Sequence, residues 1–95
     1  MENKFELGRL VTTNGVHNFM EENIDNELYL IDCFTRYIKC DWGSMCDEDK
    51  EMNDLAVANG NDRIFASYEK EGMPKLWIIT EWDRSYTTIL FPSEY

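Results

Sequence analysis

The sequence predicts an α+β domain with the element order β-α-α-α-β-β-β, its antiparallel sheet covered by helices on one face. Three observations carry this prediction. The C-terminal third alternates apolar and polar residues in short runs rich in β-branched and aromatic side chains, which suit a pleated, half-buried surface. Residues 13–59 instead repeat apolar side chains at helical spacing. Turn residues punctuate both regions, at Asn23, at Asp41-Trp42-Gly43-Ser44, at Asn59-Gly60 and at Pro92.

Taken in order, Phe5 to Val11 read as a first short strand, with Phe5, Leu7 and Val11 towards one face and Gly8 loosening the pattern. Thr13 or Asn14 caps a short helix through Glu22, because a side-chain oxygen there accepts a free first-turn N–H. Val16 and Met20, with Phe19 beside them, form its inward face. A second helix over 25–39 has Leu28, Ile31, Phe34 or Thr35, and Ile38 at helical spacing, widened by Leu30, Cys33 and Tyr37. Arg36 and Lys39 fall in its last turn, where cations suit the helix dipole.

A third helix over 46–59 opens on Asp47, Glu48 and Asp49, the sign that a helix N-terminus prefers. Met52, Leu55 and Ala56 are its expected inward face, and Gly60 its stop. Strands follow at 63–69, 75–81 and 86–91. Leu76-Trp77-Ile78-Ile79 is apolar on both faces and reads as the central strand. These three form an antiparallel meander, which the N-terminal strand is placed to join.

The 95 residues suffice for one domain, 1–95, and no linker, repeat or low-complexity stretch divides them. With 43% hydrophobic residues the chain is expected to pack a core. No apolar run opens the N-terminus and none reaches membrane-spanning length, so a cytoplasmic protein without membrane association is expected. Cys33, Cys40 and Cys46, odd in number, fit reduced thiols.

Nineteen acidic residues against nine basic ones leave a net charge of −10. A direct nucleic-acid binder needs a basic stripe to neutralise phosphates, and there is none. An acidic chain suits basic partners, among them the grooves in which other proteins hold nucleic acid. Its plainer role is to keep a small protein soluble.

Few residues offer chemistry. His17 is the single histidine, and no Gly-x-Ser-x-Gly elbow or phosphate-binding glycine loop occurs, so an enzyme is not expected. The cysteines lack a Cys-x-x-Cys knuckle, so neither zinc nor any cofactor is expected. Arg84, in the turn Glu81-Trp82-Asp83-Arg84-Ser85, is placed to pair with Asp83 or Glu81, or to bind an anion. The densest charge is Asp41, Asp47, Glu48, Asp49, Glu51 and Asp54, with Lys50 alone among them. Carboxylates on one helix face lie about 5–6 Å apart, of the same order as successive phosphates on a strand. They also read as a solvated helix face. Trp42 beside them is either a hydrophobic anchor for a partner or a plug between the second and third helices.

Asp41-Trp42-Gly43, Asp47-Glu48-Asp49-Lys50, Asn53-Asp54, Arg63-Ile64, Trp77-Ile78-Ile79-Thr80-Glu81 and Thr87 to Tyr95 together resemble a family of small uncharacterised proteins. These occur on plasmids, prophages and conjugative elements of Gram-positive gut bacteria, some labelled plasmid-related or type I restriction subunit-like. The likeness covers nearly the whole chain, including Leu10-Val11-Thr12 and Gly15-Val16. The restriction label brings no chemistry, since the chain has neither a cofactor-binding glycine loop nor an Asn-Pro-Pro-Tyr-like motif.

What the resemblance implies is a setting. Small acidic proteins of mobile elements often inhibit host defence nucleases. The expected function is therefore a non-enzymatic anti-CRISPR-type inhibitor from a phage or plasmid. It would bind a basic nucleic-acid groove through Asp41, Trp42, Asp47, Glu48, Asp49, Glu51 and Asp54. The alternatives are a small-ligand domain for a nucleotide signal, using Arg63, Arg84 and aromatics, and an accessory subunit of a plasmid-encoded complex.

Overall fold

The computed structural model describes residues 4–95. Met1, Glu2 and Asn3, which contribute to the expectation of no leader, lie outside the described residues. Strand β1 (Arg9–Thr12) leads into α1 (Asn14–Glu22), α2 (Ile24–Ile38) and α3 (Asp47–Asn59). Strands β2 (Ile64–Tyr68), β3 (Leu76–Thr80) and β4 (Tyr86–Leu90) follow, then a short 3-10 turn at Pro92–Glu94. The element order is the expected one, and the fold is α+β.

The sheet is mixed. Its order is β1-β4-β3-β2, so β3 and β4 are both interior. The meander is antiparallel, with Ala66 opposite Ile78 and Ile78 opposite Ile89. β1 instead runs parallel to β4, Val11 opposite Thr88.

The first strand is also shorter than its sequence suggests. Gly8 adopts φ 65°, and a Cβ there would meet the carbonyl oxygen of Arg84 at 2.3 Å. The backbone therefore turns at Gly8. Phe5 and Leu7, expected on the strand's inward face, pack beneath the helices before the turn.

Local sequence explains the helix starts. Thr13 accepts from the Val16 N–H, and Asn23 caps α2 by accepting from Asn26. Gly60 ends α3 at φ 71°.

Two inward faces differ from expectation. On α2, Leu28 and Ile31 are both 54% exposed, while Tyr29, Leu30, Cys33 and Tyr37 are buried. Apolar residues cover more than half its circumference, so the repeat alone does not fix its rotation. On α3, Met52 and Leu55 are exposed and Asn53 is buried with Ala56.

The core forms between the helices and one sheet face, where Ile64, Ala66, Tyr68, Leu76, Ile78 and Ile89 meet Val16, Leu30, Cys33 and Tyr37. A chain of hydroxyls crosses it. Tyr37 Oη lies 2.7 Å from Thr80 Oγ1, which lies 2.8 Å from Thr87 Oγ1. Thr87 donates to the Leu7 carbonyl at 2.7 Å. A carbonyl only accepts, so the direction is fixed: Tyr37 donates to Thr80, and Thr80 to Thr87. This satisfies three buried hydroxyls that would otherwise be costly.

Candidate partner-binding face

The acidic residues divide into those that build the fold and those that face outward. Asp41 belongs to the first group. The Arg36 guanidinium donates Nε to its Oδ2 at 2.8 Å and Nη2 to its Oδ1 at 3.3 Å. The Gly43 amide donates to the same carboxylate at 3.2 Å. Arg36 holds the Asp41 carboxyl below the usual carboxylate range, helped by that amide. Arg36 also lies 5.1 Å over the ring of Tyr68, whose hydroxyl donates to the Asp41 carbonyl at 2.7 Å.

Trp42 is 3% exposed, which corrects its reading as an anchor for a partner and leaves the plug. Its ring packs 5.5 Å from Tyr37 and 6.0 Å from Phe5. Its Nε1 donates to Asp54 Oδ1 at 2.9 Å, so Asp54 satisfies the plug's one polar atom. The next residue, Gly43, adopts φ 74° and lies against β2, where a Cβ would meet the Ser67 carbonyl oxygen at 2.2 Å. Ser44 donates to that carbonyl, and Ser67 to the Trp42 carbonyl at 3.4 Å. This segment covers the outer edge of β2.

Asn53 anchors α3 to the same strand. Its amide donates to the Phe65 carbonyl at 2.7 Å and accepts from the Phe65 N–H at 3.2 Å. The opposite side of α3 faces away from the core. Asp47, Glu48 and Glu51 are exposed there, as are Met52 (62%) and Leu55 (55%); Asp49 is exposed in the first turn, on the stripe of Asn53 and Ala56. Glu48, Met52 and Leu55 share one stripe, and Glu51 sits four before Leu55, so the face mixes carboxylates with two apolar side chains.

Arg84 differs from both of its expected roles. Its guanidinium donates to the carbonyls of Ala56 (2.8 Å), Asp62 (2.6 Å), Glu81 (3.1 Å) and Trp82 (3.4 Å). It thus completes the C-terminus of α3 rather than meeting a carboxylate or a free anion, and it does so at φ 58°. Arg63 donates to the Tyr95 hydroxyl at 2.8 Å and borders an open cleft of about 240 Å³ on the outer sheet face. Glu81 and Glu94 line the same cleft. Glu94 accepts from Thr13 Oγ1 at 2.6 Å, Gly15 N at 3.1 Å and Phe91 N at 2.9 Å, a latch that the sequence reading missed.

His17 pairs with Glu21 on the surface of α1. Cys33 is buried, Cys40 half-buried and Cys46 exposed, and burial pushes the Cys33 thiol up to about 11. Among the described residues, no three His, Cys, Asp or Glu side chains gather as metal ligands. No helix among them is long and apolar enough to cross a membrane. No protein-family model, curated protein or solved structure matches the chain.

Proposed function

We propose that the protein is a non-enzymatic inhibitor from a mobile element that occupies the basic nucleic-acid groove of a host defence nuclease, in the first instance a CRISPR effector. The observation that carries this reading is the outer face of α3, where Glu48 and Glu51 sit beside exposed Met52 and Leu55. Carboxylates alone would suit solvent. Carboxylates flanking two exposed apolar side chains suit a protein surface that is basic and partly apolar, such as the lysine- and arginine-lined channel that holds a guide–target duplex. The net charge of −10 adds long-range attraction to such a groove. The resemblance to proteins of mobile elements supports the setting.

The residues assigned to contact are Asp47, Glu48, Asp49, Glu51, Met52 and Leu55. Asp41, Trp42 and Asp54 brace the loop and helix that carry them. A nucleotide-signal pocket is less well supported, since Arg84 is spent on carbonyls and the cleft beside Arg63 sets two carboxylates against one guanidinium.

Native mass spectrometry of the protein pulled from host lysate tests the proposal, followed by binding kinetics with the captured nuclease. The expected partner is a nuclease that the protein displaces from its nucleic acid. Glu48→Lys with Glu51→Lys should slow association, whereas Glu6→Lys with Glu71→Lys, equal in charge, should slow it less. Association should also slow as salt rises, because the Debye length shrinks from ~30 Å at 0.01 M to ~8 Å at physiological ionic strength. An element-encoded partner, a retained metabolite or salt-independent kinetics would sink it.

A further inference from the structure

The outward face of α2 carries an apolar ridge that the core does not use. At 3.6 residues per turn, Ile24, Leu28, Ile31 and Thr35 fall within about 60° of one another. They stand opposite Asn26, Tyr29, Cys33 and Tyr37, which are buried. Ile24 is 62% exposed, and Leu28 and Ile31 are 54% exposed. The Thr35 hydroxyl donates to the Ile31 carbonyl at 2.7 Å, so the ridge's one polar side chain is satisfied within its own helix. A surface helix ordinarily turns polar residues to water, and apolar residues on both poles mark a helix that is covered on both sides. We propose that this ridge docks an amphipathic helix of a partner protein, with lysine or arginine flanking its apolar stripe.

Shape selects a helix. The ridge runs for about 16 Å at the i, i+4, i+7, i+11 spacing against which a second helix packs. Beside it lies an uncharged groove of about 190 Å³, lined by Leu10, Met20, Leu30, Ile31, Phe34 and Ile89. This groove takes one apolar anchor from the docked helix.

Charge selects the flanks. Asp25 and Asp32 are exposed along one side of the ridge and Glu27 along the other. Asp25 and Asp32 lie three and four residues from Leu28, and Glu27 lies three from Ile24 and four from Ile31, so each adjoins a ridge side chain. Among the described residues none of these carboxylates is ion-paired. The dipole of α2 accounts for Asp25 and Glu27 in its first turn, but not for Asp32 in its middle. The cations nearby are placed elsewhere. Arg36 is committed to Asp41, and Lys4 and Lys39 lie at the C-terminal end of the helix. Arg9 lines a separate cleft with Val11, Ser85 and Tyr86.

A second copy of the chain fits poorly. In an antiparallel pair of ridges the side with Asp25 and Asp32 meets itself, and in a parallel pair it meets the side with Glu27. An anionic membrane surface is repelled by the same carboxylates. α3 is held to β2 at the sheet edge opposite β1, so this surface is separate from the proposed inhibitory face.

The probe is a synthetic peptide of three Leu-Ala-Gln-Leu-Lys-Ala-Lys repeats, compared with the same peptide carrying glutamate for lysine. Fluorescence anisotropy measures affinity, and NMR follows the backbone amides. Saturable binding with amide shifts concentrated over residues 24–35 is expected, the glutamate peptide being at least about tenfold weaker. Leu28→Gln with Ile31→Gln, at exposed positions, should keep the unfolding midpoint and weaken binding about tenfold. Asp25→Asn with Asp32→Asn should weaken it about fivefold, whereas Glu48→Gln with Glu51→Gln, equal in charge, should leave it within about twofold. No saturable binding, shifts concentrated on α3, or equal weakening by the two charge pairs would overturn the proposal. So would concentration-dependent dimerisation of the protein that protects the α2 amides.

Discussion

Trp42 Nε1 donates to Asp54 Oδ1 across 2.9 Å, joining the loop after α2 to the middle of α3. This bond orients the helix that carries the exposed carboxylates while its tryptophan fills the space beside Tyr37 and Phe5. Asp54→Ala removes one partly exposed hydrogen bond and should cost about 1 kcal/mol in chemical denaturation. Trp42→Ala opens a cavity and should cost about 3–5 kcal/mol. If Asp54→Ala left stability untouched while abolishing partner binding, Asp54 would belong to the contact surface and not to its support.

The hydroxyl chain makes a second prediction. Thr80 accepts from Tyr37 and donates to Thr87, so Thr80→Val unpairs a donor and an acceptor in the core. A loss of about 2 kcal/mol or more is expected, seen as a lower denaturation midpoint with unchanged slope. Tyr37→Phe removes only the first donor and should cost less. The reverse ranking would show that the Tyr37 hydroxyl carries more of the chain's stability than its Thr80 link.

Stability should depend on pH through Asp41. Its folded-state pKa is depressed by Arg36, so its contribution is present above the unfolded carboxylate value, near about 3.9, and is lost as pH falls through the folded value. Asp41→Asn should therefore be less stable than the parent at neutral pH, by under about 1 kcal/mol because the pair is half-exposed. The gap should close in acid. A gap that stays constant down to the acid transition would show that the Gly43 and backbone contacts, not the charge, carry the effect.

Arg84 separates backbone strain from side-chain contact. Arg84→Gly and Arg84→Ala both lose the guanidinium's carbonyl contacts, but only glycine adopts φ 58° freely. Alanine should be the less stable variant by about 1 kcal/mol, read from thermal unfolding. Equal stability would mean that the turn relaxes once the guanidinium is gone.

Element order and type were legible because caps, glycine stops and alternation agree locally. What escaped the sequence involves partners far along the chain. The rotation of α2 was ambiguous because Leu28 and Ile31 continue the apolar stripe that Leu30 and Cys33 bury. That of α3 was misread because its anchor is polar: Asn53 goes inward for two hydrogen bonds to Phe65, against the usual exposure of asparagine. The acidic run was legible as charge, but the Arg36 and Trp42 contacts that engage Asp41 and Asp54 arise only on folding. The parallel pairing of β1 followed from nothing local.

That pairing constrains how the chain can be made. β1 is translated before the three helices and its strand neighbour among the described residues, β4, after β2 and β3; the Thr87 hydroxyl reaches the Leu7 carbonyl across 80 positions. On the ribosome the three helices emerge before there is a sheet to receive them. The meander can zip locally, but the N-terminal strand must wait until β4 leaves the exit tunnel. A nascent chain stalled before β4 would hold Leu10 and Val11 without their neighbour, and such a truncated product is a natural substrate for chaperones and proteases.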